Sequence, residues 1–190
     1  RERAASVFTE RVNGHLADLA MGDSKFNAEI ARLDKVRASG AESASFTLSQ
    51  SGGAPNQVNK SASGGELSRI LIAIQASTDR DRLPGVLVFD EVEAGLGGRT
   101  ALLAGEKLRE LSRNCRIILI THEAAIAAMA EQHFVVRRNG DDTEVFEIEG
   151  EDRAREIARM LAGSESAEAM EHARALLRLE EQKADRSRKR

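Results

Sequence analysis

Val86-Leu87-Val88-Phe89-Asp90-Glu91 is the stretch from which the fold can be read. Four consecutive apolar residues after the turn pair Pro84-Gly85 are too short for a core helix and fit a strand buried on both faces, as in a parallel sheet. Ile117-Ile118-Leu119-Ile120 is a second run of the same kind. Between the two lie a glycine-rich turn, Gly95-Leu96-Gly97-Gly98, and a helical stretch in which Ala101, Ala104, Leu108 and Leu111 share one face. Strand, crossover helix and strand make a βαβ unit, which places both strands parallel in one sheet. Ligands of such sheets bind at the carboxyl ends of the strands. Asp90 and Glu91 fall at one such end, and Thr121-His122 at the other.

Upstream, Phe8, Val12, Leu16 and Leu19 form a single apolar stripe on a charged helix, which reads as the end of a longer helical arm over residues 1–20. Met21-Gly22-Asp23 breaks it. Phe26, Ala28 and Ile30 then alternate as a half-buried strand, and Ser45-Phe46-Thr47-Leu48 follows a turn expected over residues 38–42, so the two are expected to pair as a hairpin. Residues 51–57 read as loop. Leu67, Ile70, Leu71 and Ile74 recur at helical spacing from about Gly65, with Ser63 at the cap position. Beyond His122 a helix is expected over residues 123–131. Two strands follow, Phe134-Val135-Val136 and residues 143–148, joined at Asn139-Gly140-Asp141-Asp142. Two helices, carrying Ile157 and Leu161 and then Met170, Ala173 and Leu177, close the domain over residues 21–182. Residues 183–190 form a basic tail, expected to be frayed.

At 190 residues and 41% hydrophobic, the chain suits one core with an appendage. A net charge of −3, from 28 basic and 31 acidic residues, excludes a strong overall footprint for DNA while leaving room for a local one. With no Trp or Tyr, recognition by stacking bases on aromatic platforms is disfavoured. The single Cys115 excludes an internal disulfide and reads as a packed thiol. There is neither a membrane-length apolar stretch nor a secretory signal, so the expected setting is cytoplasmic. The first residue is not Met and lies inside a helical pattern, which is expected of a chain cut from something longer.

Three elements carry chemistry. An apolar strand ending in Asp90-Glu91 fits a Walker B element, whose first carboxylate holds magnesium and whose second polarises the attacking water. His122 lies just past the neighbouring strand on the same rim, within reach of a γ-phosphate, because adjacent strands are about 5 Å apart. In Ser63-Gly64-Gly65-Glu66 two glycines free the backbone to approach a ligand, and the helix start behind them favours an anion. Each has a plain alternative: a pair of turn-capping acids, a capping histidine, a serine-capped helix. Their occurrence together and in order favours the site. No Gly-x-x-x-x-Gly-Lys-Ser/Thr occurs, so a phosphate cradle is missing.

Together these elements resemble the signature, Walker B and switch histidine of ABC-type ATPases. Ala62-Ser63-Gly64-Gly65-Glu66-Leu67-Ser68-Arg69, Phe89-Asp90-Glu91-Val92 running into Gly95-Leu96-Gly97-Gly98-Arg99, Ile120-Thr121-His122 and Glu156-Ile157-Ala158-Arg159-Met160-Leu161-Ala162-Gly163 narrow the resemblance to the RecN family of SMC-like DNA repair ATPases. It covers nearly the whole chain, as the carboxy-terminal lobe of the head. The implied fold is α/β, a lobe of a P-loop NTPase of ABC/SMC type with parallel core strands, an accessory antiparallel hairpin and a stub of coiled-coil arm.

The resemblance further implies ATP and Mg as cofactors, with Asp90 on the magnesium, Glu91 as general base and His122 at the γ-phosphate. Ser63, Gly64, Gly65 and Glu66 would cap ATP held by a second head. Glu93 stands in the following loop where an aspartate is usual, which leaves its part in communication between heads open. The implied partners are an amino-terminal lobe carrying Walker A, a second copy through the heads, and DNA, without a membrane. The implied role is repair of DNA double-strand breaks by recombination, at the bacterial nucleoid, and the isolated chain is expected to be inactive. An ABC transporter subunit is the main alternative, disfavoured by the arm-like helix and the hairpin. An inert dimerisation or DNA-contact lobe is another.

Overall fold

The computed structural model describes residues 1–38, 40–58, 62, 64–93 and 98–188. The chain divides into two compact units, Arg1–Leu119 and Ile120–Arg190. Among the described residues no helix is long and apolar enough to cross a membrane.

The first unit opens with helix α1 (Glu2–Asp18) and the antiparallel pair β1 (Ser24–Arg37) and β2 (Gly40–Gln50). Hairpin pairing runs from Ser24 opposite Gln50 to Arg32 opposite Glu42, then shifts register before Arg37 meets Gly40. Gly40 has a φ of +115°, a conformation costly for other residues, and it opens β2 earlier than the turn expected over residues 38–42. β3 (Asn56–Gln57) adds to the free side of β2, so the expected loop over residues 51–57 ends in a short strand.

The apolar stripe of α1 packs as its spacing requires. Val12, Leu16 and Leu19 are fully buried with Phe26 and Leu48, and the rings of Phe8 and Phe46 lie 6.1 and 5.3 Å from that of Phe26. β1 is an edge strand, and α1 satisfies its outer backbone. The Asn13 amide donates to the Phe26 carbonyl at 2.8 Å and accepts from the Phe26 N–H at 2.9 Å, while Thr9 Oγ1 accepts from the Ala28 N–H at 3.0 Å.

Helix α2 (Gly64–Ala76) buries Gly65, Ile70, Ile72 and Ala73. Leu67 and Leu71, half of the stripe seen in the sequence, remain exposed. Then come β4 (Val86–Asp90), α3 (Gly98–Ser112) and β5 (Arg116–Ile120). β4 and β5 pair, and they are parallel: the Arg116 N–H at the start of one donates to the Gly85 carbonyl at the start of the other, 3.0 Å away. The predicted face of α3, Ala101, Ala104, Leu108 and Leu111, is buried. Cys115 is a buried thiol 3.7 Å from the Leu111 carbonyl, and burial pushes its pKa up, so it is packed and unreactive.

One expectation needs correction. β4 and β5 are buried on one face only, since Val86, Val88, Ile118 and Ile120 are 49–61% exposed. An unbroken apolar run marks a strand destined for cover on both sides, and this chain provides the cover on one.

A charged contact joins the end of α1 to α3. Lys107 donates to Asp18 at 3.2 Å and Glu110 at 3.1 Å. Burial pulls its pKa down, but its bonds to Glu110 and Asp18 outweigh that and hold the ammonium above its ordinary value. Burial, followed by the charge of Lys107, holds the nearby His15 below the usual imidazole range.

The second unit contains the one-turn helix α4 (Ala124–Ala127), the antiparallel pair β6 (His133–Asn139) and β7 (Asp142–Ile148), and helices α5 (Gly150–Ala162) and α6 (Ala167–Arg188). The helix expected over residues 123–131 is thus a single turn. Gly140, with a φ of +65°, makes the tight hairpin connection. Gly163 ends α5 in the left-handed conformation, its N–H donating to the Arg159 carbonyl at 2.8 Å. The core is rich in alanine, with Ala124, Ala127, Ala154, Ala158 and Ala173 packed around Ile157 and Met170. The backbone is helical to Arg188, within the stretch where a frayed tail is expected. Glu, Gln, Lys, Ala and Arg are favourable helix residues, so a charged composition does not by itself end the helix.

Two measurements check this account. Asn13→Ala strips the partners from both backbone groups of Phe26 and is expected to lower unfolding stability by about 1–3 kcal/mol in denaturant titrations. The second concerns pH. Burial, then the charge of Arg153, also holds His133 below the usual imidazole range, while the bond from Arg159 holds Glu156 below the carboxylate range. A buried neutral imidazole makes the unfolded chain take up protons first, so stability falls as pH drops below about 6.5. The depressed carboxylate adds a further loss as the pH falls through its own, lower range. Melting temperature is expected to decline steadily from neutral pH into the acid range, and His133→Gln is expected to flatten the upper part of that decline.

Candidate active site

Asp90 is the last residue of β4 and lies exposed at the carboxyl end of the parallel pair. Directly after it, Glu91 adopts a φ of +44°, left-handed backbone in a residue with a full side chain. Such a conformation costs on the order of 1–3 kcal/mol and is sustained only where the surroundings impose it. Here Phe89 on one side and Val92 on the other are buried, the latter completely, so the two acids occupy a sharp exposed corner between anchored residues. Glu93 follows and is itself buried, 4% exposed. Ala94 through Gly97, the glycine-rich part of the turn expected from the sequence, lie outside the described residues.

Gly64, Gly65 and Glu66 form the first turn of α2, a different element from the one bearing the acids. Ser63 lies outside the described residues. The Gln50 side-chain amide at the end of β2 donates to Glu66 at 2.6 Å, which ties this turn to the hairpin. A β-carbon on Gly64 would meet nothing within 4 Å, so no packing among the described residues requires a glycine there. Nearby Arg69 has Nε and Nη1 buried with no hydrogen-bond partner. Burial lowers its pKa, with the charge of Glu66 acting against that. Buried guanidinium nitrogens without acceptors are rare in a completed fold.

His122 belongs to the second unit, two residues past the end of β5, and is exposed. The Glu123 N–H donates to Thr121 Oγ1 at 3.0 Å, so His122 sits in a local turn leading into α4. The structure therefore brings Asp90 and Glu91 together, holds Gly64 to Glu66 on another element, and places His122 in a unit of its own.

The donor set can be tested against magnesium. No cluster of three or more His, Cys, Asp or Glu side chains that could hold a metal occurs among the described residues. A solvent-facing carboxylate such as Asp90 nevertheless fits magnesium, which takes one or two protein carboxylates and fills its other positions with phosphate oxygens and water.

Sequence reading passed over two charged side chains that find partners in the fold. Lys107 and Arg153 each bond across elements, yet each looks like an ordinary surface charge in a helical stretch. Spacing carries no signal for them.

No protein-family model matches the chain. Among curated proteins it is similar to the DNA repair protein RecN of Treponema pallidum, 37% identical over 94% of this chain and 33% of the relative. RecN of Haemophilus influenzae is 38% identical over 88% and 31%, and RecN of Streptomyces coelicolor 36% over 98% and 35%. The chain thus spans about a third of the length of these relatives. Among solved structures, the Smc head domain with a coiled coil and joint from Pyrococcus yayanosii superposes with a TM-score of 0.65 over 85% of this chain and 30% of that one, at 16% identity. An SMC ATPase from work on ATP-driven dimerization and DNA-stimulated activation gives 0.52 over 77% and 86%, at 17% identity. At those identities the structures speak for the fold alone, an SMC-type head, while the sequence matches carry the assignment: the chain belongs to the RecN family.

Proposed function

We propose that this chain is the carboxy-terminal lobe of an ATP-hydrolysing head acting in recombinational repair of DNA double-strand breaks. The observation that carries the reading is the exposed Asp90-Glu91 corner, held in strained backbone at the carboxyl end of a parallel strand pair. Asp90 would hold magnesium, which when bound neutralises charge on the phosphates. Glu91 would accept the proton of the attacking water. The α2 start at Gly64 and Gly65 would offer backbone N–H groups to a phosphate presented by a second head, with Ser63 adding a hydroxyl. His122, carried at the turn after β5, would approach the γ-phosphate. In such phosphoryl transfer, positioning and charge stabilisation supply most of the catalysis.

The rest of the machinery would come from an amino-terminal half with the Walker A loop, and three features support such a partner. Val86, Val88, Ile118 and Ile120 leave an apolar face of β4 and β5 in water. Arg69 has buried nitrogens without acceptors. A β-carbon at Gly64 would meet open space among the described residues, which leaves room there for a phosphate to approach the backbone. Helix α1 would be the foot of the coiled-coil arm, and nucleotide would close two heads while the arms engage DNA.

Two experiments test this. With the chain assembled with its amino-terminal counterpart, Glu91→Gln is expected to lower kcat for ATP hydrolysis by about 100-fold or more with ATP affinity within about twofold. Undiminished turnover would remove Glu91 as the base. Gly64→Ala is expected to leave the melting temperature unchanged or slightly raised, yet to weaken ATP-dependent head association about tenfold, read by sedimentation. Association equal to the unmodified protein would place the phosphate cap elsewhere.

A further inference from the structure

Helix α4, directly behind His122, cannot hold itself in place. It is one turn long, and its residues Ala124-Ala125-Ile126-Ala127 carry no polar side chain for capping. An isolated turn of this kind is far from stable in water. Its carbonyl end is gripped instead by Arg153 of α5: one guanidinium nitrogen, Nη2, lies 3.3 Å from the Ala127 carbonyl, 3.2 Å from that of Ala128 and 2.6 Å from that of Ala130. Two protons on that nitrogen are shared among three acceptors. A cation over the carbonyls at a helix end is favourable; of these three, the Ala127 carbonyl also accepts the Ala130 N–H at 3.2 Å, and the guanidinium adds charge-assisted bonds at the end of the turn.

Burial, the main influence on Arg153, lowers its pKa, and its Nε is buried without a hydrogen-bond partner. The side chain is thus held partly out of water while it makes this grip. Ala124, Ala127 and Ala128 complete the attachment by packing with Ala154, Ile157 and Ala158 of α5. On the other side of His122, Thr121 fixes the turn by accepting the Glu123 N–H. His122 is thus strung between a strand end and a helical turn held on α5 by alanine packing and by the polar grip of Arg153.

We propose that Arg153 is a positioning residue for His122, setting the height and angle of the histidine through α4 rather than touching nucleotide itself. This rests on the reading of His122 at the γ-phosphate given above. Lysine keeps the charge but has neither the reach nor the planar donors to serve three carbonyls. Arg174, which pairs with Glu151 between α6 and α5, is the control, an exposed ion pair in the same unit that does not touch α4.

In the assembled ATPase, Arg153→Lys is expected to speed amide hydrogen exchange at residues 127–130 about tenfold and to lower kcat about tenfold with KM for ATP within twofold. Arg174→Ala is expected to change neither. In the His122→Ala background, Arg153→Lys is expected to cause no further loss of kcat, whereas a merely structural role would add its effect. Unchanged exchange, unchanged kcat or simple additivity would each overturn the positioning role. If His122→Ala leaves turnover intact, the reading of His122 falls and this inference with it. If His122→Ala lowers turnover and Arg153→Lys does not, the inference alone falls.

Discussion

Parallel strands cannot be joined by a tight turn, because the chain must return the length of the strand before it can run alongside itself. β4 and β5 are such a pair, and the need for a crossover explains α3, the buried line of Ala101, Ala104, Leu108 and Leu111 on its inner face, and the seating of Phe89 and Val92 in the core beside it. The same constraint places both strand ends at one edge. Asp90 stands at that edge, and Glu91 follows it in left-handed backbone. A hairpin in place of the crossover would have made the strands antiparallel and put the second strand's end at the opposite edge.

Around this pair the first unit is completed on one side and open on the other. Helix α1 closes the inner side: Val12, Leu16 and Leu19 enter the core, Asn13 and Thr9 satisfy the outer backbone of β1, and Asp18 reaches Lys107. One ammonium is thus shared by carboxylates of both helices, Asp18 of α1 and Glu110 of α3. On the open side lie Val86, Val88 and Ile118, with a buried but unsatisfied Arg69 on α2. Apolar exposure and orphaned polar atoms in one unit support the proposed amino-terminal complement, and the chain covers about a third of its RecN relatives.

The second unit is built on a different principle. Its core is alanine around Ile157 and Met170, so helices approach closely and gain little from any single side chain. Directional bonds carry more of the definition in such a core. Arg153 holds the carbonyl end of α4, Ser166 accepts the Ala169 N–H at the start of α6, and Gly163 closes α5. The hairpin of β6 and β7 depends on Gly140 for its turn, and Arg137 lies 4.9 Å over the ring of Phe146.

Element identity in this chain follows from local rules. Two apolar runs with a helical stretch between them specify a βαβ unit, Asn139-Gly140 specifies a hairpin, and the spacing of Phe8, Val12, Leu16 and Leu19 specifies the buried face of α1, because strand and helix periods are written residue by residue. The order of Ser63-Gly64-Gly65-Glu66, Asp90-Glu91 and Thr121-His122 was equally legible, since a motif is a local string. Exposure was not: Val88 and Leu67 look like core residues in the sequence, and only the folded chain reveals that they are 61% and 45% exposed. Nor were the contacts of Arg153 and Lys107, or the strained φ of Glu91. Those depend on which elements meet in space, and a charged side chain in a helical sequence reads the same whether it ends in water or against a neighbour's carbonyls.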